Sequence, residues 1–386
     1  MELLVFSPTN EDEAARLIKE AAVSRTPIRI QGGGTRARFG GCVQAGMTLS
    51  TAKLTGITLY EPSEMVMGAK AGTLLAEVEA ALAEKGQMLA FEPMDHRTVY
   101  GSSGAPTIGA IAAGNISGPR RIWAGACRDS LIGVRFVNGA GEVIKSGGRV
   151  MKNVTGLDLV KLQAGAWGTL GLLTEVMFKV VPKPEIVTTL VLQGLDTAKA
   201  VTAMAKALGS PFEITGAAHD PSTQETYLRI EGFGFSVDYR AGELAKLLGS
   251  HGTPTRIDGV ESAGLWASIR DGAALAEPAD AVIWRLSVKP SEAPQVLAAI
   301  PEARAMLDWG GGLIWLSVAG AGDCGASRIR AAAKAASGYA TLIRAPEAMR
   351  GTIPVFEPEP PAIAALSQRI RASVDAAGLF NPGMMG

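Results

Sequence analysis

The chain has 386 residues, and its 37 basic and 37 acidic side chains give a formal net charge of zero. A chain without an overall positive field is not expected to bind nucleic acid, and a hydrophobic content of 47% excludes a disordered protein. Glycine is in excess, with 47 residues against an ordinary share of about 7%, and this excess predicts tight turns or close backbone approach to a ligand.

Cysteines and histidines are few and scattered. The three cysteines form no CxxC pair and the three histidines form no HxH or HExxH pattern, so neither a disulfide framework nor a metal site is expected. This cysteine usage suits a reducing compartment. The N-terminus does not resemble a signal peptide, and no segment has the roughly 18 apolar residues of a membrane span, so we expect a cytoplasmic chain.

The first predicted elements lead into a glycine-rich loop. Asn10 is placed to cap a helix that ends before Pro27, and a strand over residues 27–30 follows. The strand runs directly into Gln31, Gly32, Gly33, Gly34, Thr35 and Arg36. Glycines after a strand leave backbone N–H groups free of side-chain bulk, which is typical of a cradle for phosphate or pyrophosphate. Because the loop matches neither GxxxxGK[ST] nor GxGxxG, a plain tight turn is the alternative.

The remaining elements predict a first domain over residues 1–184. It continues with a helix over 73–85, a hairpin over 131–145 and a strand over 174–181, and the prolines that follow this strand mark the boundary.

Two further parts follow this boundary. Two passes of strand, helix, strand, strand, helix predict an antiparallel sheet, so that residues 185–345 form an α+β domain. Residues 346–386 contain an amphipathic helix over 361–376 and the tail Phe380-Asn-Pro-Gly383. We expect the aliphatic stripe of this helix to pack and to bring the tail back onto the first domain.

Several motifs in the first domain carry a resemblance to a known family. After the first loop come Thr107 to Gly114, then Gly118, then Arg128-Asp129 with Gly133, then Asn153 to Leu159, and finally Gly165 to Glu175. This series resembles the vanillyl-alcohol-oxidase and p-cresol-methylhydroxylase (PCMH) family of FAD-binding proteins. The resemblance implies a two-subdomain PCMH-type FAD-binding domain, followed by the antiparallel-sheet α+β domain and by a C-terminal helix and tail that return to the FAD domain.

The resemblance also implies where FAD binds. Residues 31–36 would hold its pyrophosphate, and the other implied cofactor residues are Thr107, Gly109, Gly114, Gly118, Arg128, Asp129, Gly133, Leu173 and Thr174. Some relatives attach FAD covalently through a histidine beside the first loop. Because no histidine occurs between Gln31 and Gly41, non-covalent FAD is expected here.

The whole chain is similar to the FAD-binding subunits of bacterial glycolate oxidases, on the residues Trp284-Arg-Leu286, Asp308 to Trp315 and Phe380 to Gly383. These short relatives of the D-2-hydroxyacid dehydrogenases work with a larger flavin subunit and an iron–sulfur subunit. The resemblance implies an FAD-dependent oxidoreductase subunit that supports oxidation of a small 2-hydroxyacid at its CH–OH group and passes electrons to the iron–sulfur partner. Any membrane association would be made through the partner subunits.

One departure from the relatives keeps two alternatives open. Hydroxyacid-oxidising relatives carry a HxxH…H motif near the C-terminus, whereas this sequence has no histidine after His251. We therefore expect substrate oxidation mainly on the larger partner. The alternatives are a stand-alone FAD-dependent alcohol or hydroxyacid oxidase and a non-catalytic assembly subunit with an FAD-type fold.

A few charged and aromatic residues have more than one interpretation. Arg285 lies in an apolar strand and needs an anionic partner, which is a substrate carboxylate, the flavin or a structural ion pair. Trp309 and Trp315 flank three glycines, as in a hairpin turn between core strands, a subunit contact or a cover for the flavin edge. Arg120 and Arg121 are either solvated loop charges or partners of the cofactor phosphates.

Overall fold

The computed structural model describes residues 4–148 and 157–385. The strands in this part of the chain are β1 (Leu4–Phe6), β2 (Ile28–Gln31), β3 (Met47–Ser50), β4 (Ile57–Glu61), β5 (Val66–Lys70), β6 (Gln87–Met88), β7 (Leu131–Val137), β8 (Val143–Gly147), β9 (Leu172–Lys179), β10 (Val181–Pro182), β11 (Ile186–Gln193), β12 (Ile214–Asp220), β13 (Glu225–Gly232), β14 (Thr255–Asp258), β15 (Val282–Ser287), β16 (Arg304–Asp308), β17 (Leu313–Val318) and β18 (Tyr339–Arg344). The α-helices are α1 (Glu11–Ser24), α2 (Leu75–Ala83), α3 (Arg97–Tyr100), α4 (Ile108–Ala113), α5 (Arg121–Ala124), α6 (Cys127–Ser130), α7 (Leu159–Gln163), α8 (Thr197–Leu208), α9 (Gly234–Leu247), α10 (Gly259–Arg270), α11 (Ala293–Ala298), α12 (Ala326–Ala335), α13 (Glu347–Arg350) and α14 (Pro361–Val374). None of these helices is long and apolar enough to cross a bilayer.

The chain up to Pro184, called here the N-terminal region, holds three sheets. Strands β1, β3 and β2 pair in parallel, β4, β5, β9, β7 and β8 form an antiparallel sheet, and β10 pairs with β6. The Asn10 side chain accepts a hydrogen bond from the Glu13 backbone N–H at 2.9 Å, so α1 begins at the predicted cap. Buried apolar residues of α1, including Ile18, pack with Leu49 of β3.

An eight-stranded sheet follows, in the order β14–β11–β13–β12–β16–β17–β15–β18, and all its pairings are antiparallel. The α+β class and the antiparallel sheet predicted from the sequence are therefore confirmed. The predicted boundary after Pro184 falls between the strands of the N-terminal region and those of this sheet. We retain the division into residues 1–184, 185–345 and 346–386 as a proposal.

The C-terminal segment packs differently from the prediction. No residue of α14 is buried, and Ile363 and Leu366 of its aliphatic stripe are 49% and 44% exposed. The tail after the helix does return to the N-terminal region, where Phe380 is buried and bridges Ile28 in parallel. Leu379 and Phe380 belong to the same hydrophobic cluster as Ile18 and Leu49, whereas no residue of α14 does, so the tail, and not the helix stripe, makes the apolar contact.

Candidate functional site

A cavity of about 420 Å³ lies where β2 and β3 end. Both strands are parallel, so their carboxyl ends meet at one edge of the sheet, which is a common position for ligand sites. All six residues of the predicted loop line the cavity, from Gln31 to Arg36, together with Gly109 and Leu173. The glycine cluster of the sequence thus forms a concave site.

The close approach of backbone segments explains two of the loop glycines. A Cβ atom at Gly33 would overlap the carbonyl oxygen of Ala105, and a Cβ at Gly32 would overlap the Thr107 hydroxyl. Gly34 adopts a φ of +76°, which a side chain disfavours. Because glycine is needed at all three positions, no side chain of these residues covers the N–H groups of the loop, which is what a pyrophosphate cradle needs.

Two buried polar atoms at the loop have no hydrogen-bond partner among the described residues. They are Nη2 of Arg36, a residue of the cavity wall, and Oγ1 of Thr107, which lies against Gly32 although Thr107 itself is outside the wall. Buried donors of this kind cost free energy unless a ligand or water satisfies them. One cationic donor and one hydroxyl beside a glycine cradle fit the acceptor oxygens of a dinucleotide pyrophosphate.

The C-terminal tail forms a part of the cavity wall that the sequence did not predict. Asn381 and Met384 line the cavity. The Asn381 side-chain oxygen accepts a hydrogen bond from the Ile30 backbone N–H at 2.8 Å, and its amide group donates to the Trp167 carbonyl oxygen at 2.8 Å. The tail therefore connects the strand that carries the glycine loop to the opposite wall. The only signal in the sequence is the Asn-Pro-Gly turn itself.

Further residues of the wall were also missed. They lie in β2, in α4, in α13 and in neighbouring loops, and they are Arg29, Thr51, Ala71, Ala110, Ala113, Gly168, Gly171, Glu347 and Arg350. Most are small and apolar or belong to segments far apart in the sequence, and a pattern of residue types does not bring such positions together.

Gly114 and Gly118 lie outside the cavity, and close packing accounts for both. A Cβ at Gly114, just after α4, would come within 3.0 Å of the Trp167 ring. A Cβ at Gly118 would overlap the Glu92 carbonyl oxygen. Each glycine therefore permits a close contact between chain segments, and a direct role at the cofactor stays a prediction.

The other predicted residues outside the cavity are engaged within the protein. Arg128 and Asp129 are exposed in the short helix α6, where Asp129 accepts a hydrogen bond from the Ala126 N–H at 2.8 Å. Gly133 packs against Gly148 across the β7–β8 hairpin, and the Thr174 hydroxyl donates to Glu11 at 2.5 Å. Their assignment to FAD stays a prediction. Of the motif from Asn153 to Leu159, residues 153–156 lie outside the described part of the chain.

The sheet face that packs against the N-terminal region is rich in charged side chains. Arg229 of β13 is 2% exposed and forms a two-pronged ion pair with Glu92, with both N–O distances at 2.9 Å. Glu231 of the same strand pairs with Arg120. Burial opposes ionisation of Glu92, but Arg229 outweighs it and lowers the pKa of that carboxyl. Two cations and two anions thus cross the interface, and Arg120 is neither a solvated charge nor a cavity residue.

The indole of Trp309 lies on the same face, next to two guanidinium groups. Cζ of Arg121 is 4.7 Å from the ring centroid, and Cζ of Arg285 is 5.1 Å from it. Trp309 belongs to the turn between β16 and β17, which confirms the hairpin interpretation, whereas Trp315 is a buried residue of β17. Neither Arg121 nor Arg285 forms an ion pair among the described residues, so a structural ion pair for Arg285 finds no support there.

Two titratable groups at the interface have shifted pKa values. Burial, and next the charge of Arg36, lower the pKa of His96 to about 3, and its Nδ1 lies 3.5 Å from the Arg36 guanidinium. Burial raises the pKa of Asp308 to about 7, although the Trp309 N–H donates to its carboxylate at 2.7 Å. His96 is therefore neutral at physiological pH, whereas the pKa of Asp308 lies close to physiological pH.

Comparisons with known proteins agree with this geometry. The FAD binding domain family matches residues 3–147. The glycolate oxidase subunit GlcE of Escherichia coli (strain K12) is 34% identical over 369 residues, which are 95% of each chain. The glycolate oxidase subunit GlcD of Bacillus subtilis (strain 168) is 33% identical over 187 residues, 48% of this chain and 38% of GlcD. The solved structure of an alkyldihydroxyacetonephosphate synthase covers 98% of this chain and 76% of its own with a TM-score of 0.68, and at 16% identity it shows a shared fold.

Proposed function

This chain belongs to the family of the glycolate oxidase subunit GlcE, a family of FAD-linked oxidoreductases, and from that premise we propose that it is the FAD-binding subunit of a glycolate or other D-2-hydroxyacid dehydrogenase complex. The observation that carries this proposal is the glycine cradle with two buried donors that lack partners among the described residues, since the pyrophosphate oxygens of FAD, the cofactor of the family, would satisfy them. The FAD is held without a covalent bond, because no histidine occurs between Gln31 and Gly41, the segment beside which some relatives carry the attachment histidine.

Each part of the cavity contributes to holding the cofactor. The N–H groups of residues 31–36 bind the pyrophosphate, and the Arg36 guanidinium and Thr107 hydroxyl add two side-chain donors. Small residues such as Gly109 line the cavity without filling it, which leaves room for the cofactor. When bound, FAD supplies a hydride acceptor for the substrate carbon that carries the hydroxyl group.

The proposed partners are a larger flavin-containing subunit and an iron–sulfur subunit that receives the electrons. The names of GlcE and GlcD, both glycolate oxidase subunits, support a complex of several chains. The state of His96 supports a division of labour. A histidine whose pKa is about 3 is a weak base at neutral pH, so His96 does not take the substrate hydroxyl proton efficiently. In this proposal the base is on the larger partner.

One observation favours a second candidate, a chain that oxidises the hydroxyacid by itself. Asp308 is buried at the interface with a pKa of about 7, which is close to the value that suits a general base at neutral pH. In that case Asp308 accepts the hydroxyl proton, and Arg285 binds the substrate or the flavin.

The decisive measurement is the visible absorbance spectrum of the purified chain, followed by denaturation and filtration. Flavin absorbance that passes into the filtrate supports non-covalent FAD, whereas a protein that stays colourless after reconstitution with FAD contradicts the proposal.

Anaerobic addition of glycolate or D-lactate separates the two candidates. Bleaching of the flavin only after the partner subunits are added supports the dehydrogenase complex. Rapid bleaching by the lone chain that is lost in Asp308→Asn supports the stand-alone oxidase.

A further inference from the structure

Trp309 is held firmly and in an unusual conformation. Its indole N–H donates to the Gly118 carbonyl oxygen at 3.1 Å, and its backbone N–H donates to Asp308 at 2.7 Å. Its φ is +52°, and the two glycines that follow it also have positive φ. A non-glycine residue in this region is strained, and such strain occurs frequently at functional sites. The indole is therefore a fixed platform between the sheet and the N-terminal region.

Two cations share this platform. The Arg121 and Arg285 guanidinium groups lie 4.7 Å and 5.1 Å from the same ring centroid. The ion pairs among the described residues include neither of them, although the neighbouring Arg120 and Arg229 are both paired. Outside the described ranges the only acidic residue is Glu2.

The immediate surroundings do not neutralise the two charges. The hydrogen-bond partner of Arg285 is the Tyr339 hydroxyl, a neutral group. The pKa of Asp308 is raised to about 7 by burial, so this carboxyl carries only part of a negative charge at neutral pH. Burial, and to a smaller extent the charge of Arg121, lower the pKa of Arg285. A bound anion would relieve this unfavourable concentration of positive charge.

We propose that Arg121 and Arg285, on the platform of Trp309, bind the carboxylate of a small organic acid at the interface between the N-terminal region and the antiparallel sheet. Guanidinium groups suit this ligand because their planar forks match the two oxygens of a carboxylate. Both arginines are half-buried, so part of the surface of each stays accessible to solvent. The choice of 2-hydroxyacids as the ligand class rests on the proposed function.

The site is tested by calorimetric titration of the FAD-loaded chain with glycolate, D-lactate and oxalate, with chloride at equal ionic strength as the reference. Wild type should bind at least one of the three acids. Arg121→Gln and Arg285→Gln should each weaken that binding by at least about tenfold, because each removes a charged hydrogen-bond donor. Arg369→Gln, which changes an exposed arginine of α14, is the matched control and should keep the wild-type affinity.

The FAD content of every preparation, read from visible absorbance, separates this inference from the proposed function. A wild-type chain that holds FAD but binds none of the three acids overturns the carboxylate site and leaves the FAD assignment intact. Wild-type affinity in both glutamine variants also overturns it. If Arg285→Gln fails to fold, Arg121→Gln decides the outcome, since Arg121 lies in a short half-exposed helix outside the sheet.

Discussion

The glycine loop of the N-terminal region and the sheet face that packs against that region are built from different chemical groups. The loop offers backbone N–H groups around a cavity, with Arg36 as its cationic side chain. The sheet face offers the ionised side chains of Arg229 and Glu231, which pair with Glu92 and Arg120 of the N-terminal region. Backbone donors need no counter-ion, whereas each buried charge needs a partner. The two regions should therefore respond differently to substitution. In the loop, added side-chain volume should weaken cofactor binding, whereas at the interface the loss of one charge should lower the free energy of unfolding.

The largest effect is expected where a buried charge loses its partner. Arg229→Met keeps much of the side-chain volume but leaves Glu92 and Glu231 without this cation, and it should lower the free energy of unfolding by about 3–5 kcal/mol. Urea denaturation gives the value. Arg256→Met, which breaks more exposed pairs with Asp238 and Asp258, is the control and should cost about 1 kcal/mol or less. Equal losses of unfolding free energy in the two variants would show that the buried ion pairs of the interface stabilise the protein no more than the exposed pairs do.

The next effect depends on pH and on His96. The folded protein keeps His96 neutral down to a pKa of about 3, whereas the unfolded chain binds the proton below the ordinary value of 6.5. The contribution of His96 to stability is therefore complete above pH 6.5 and falls as the pH is lowered towards 3.

His96→Gln should remove this dependence. The stability difference between wild type and His96→Gln should change by about 2 kcal/mol between pH 6.5 and pH 5, in the direction that favours the variant at low pH. Denaturation curves at several pH values measure it, and above pH 7 the difference should be constant. Parallel pH profiles for the two proteins below pH 6.5 would show that His96 is protonated in the folded state.

FAD binding at the glycine loop should be sensitive to added side-chain volume, even where the substitution changes no charge. Gly33→Ala places a methyl group against the Ala105 carbonyl oxygen, so the cradle must shift, and FAD should bind about tenfold more weakly. Fluorescence titration of the apoprotein with FAD measures this. Gly242→Ala in α9 is the control, because a Cβ there meets open space and ordinary helical backbone. If Gly33→Ala binds FAD as well as Gly242→Ala does, the cradle is not the pyrophosphate site.

The smallest effect is expected at the C-terminal tail. Asn381→Asp keeps the acceptor for the Ile30 N–H but cannot donate to the Trp167 carbonyl oxygen, so one cavity wall is released and FAD affinity should fall by about threefold to fivefold. The same titration with Gln368→Glu, an equivalent change at an exposed position of α14, should match wild type. An unchanged affinity in Asn381→Asp would limit the tail to a role in stability.

Much of the fold could be predicted because its signals are local. The β7–β8 hairpin spans 131–147, close to the predicted 131–145, and α1 begins at the predicted Asn10 cap. Other elements carried weak signals. Helix α10 was missed because its apolar residues show little helical periodicity, and β3 was missed because it is a short buried strand without alternation.

The residues of the candidate site likewise fall into those that local sequence signals predict and those that they do not. Residues 31–36 could be found because glycine costs backbone entropy, so several glycines directly after a strand indicate that the backbone needs the space. Gly109 was found through the family resemblance. Asn381 could not be found, since it lies 351 residues from the Ile30 N–H that it binds. Gly118 matched the motif series but lies against Glu92, where close packing requires a glycine even without a ligand.

The amino-acid sequence by itself determined the cofactor loop and the family, because both depend on residue types at short spacing along the chain. Only the tertiary structure decided which charges are compensated. Arg120 and Arg121 are neighbours in sequence, yet one pairs with Glu231 and the other lies on the Trp309 ring without a carboxylate partner among the described residues. The energy of a charge depends on its distance to other charges and on its burial, and folding sets both by bringing together segments far apart in the chain.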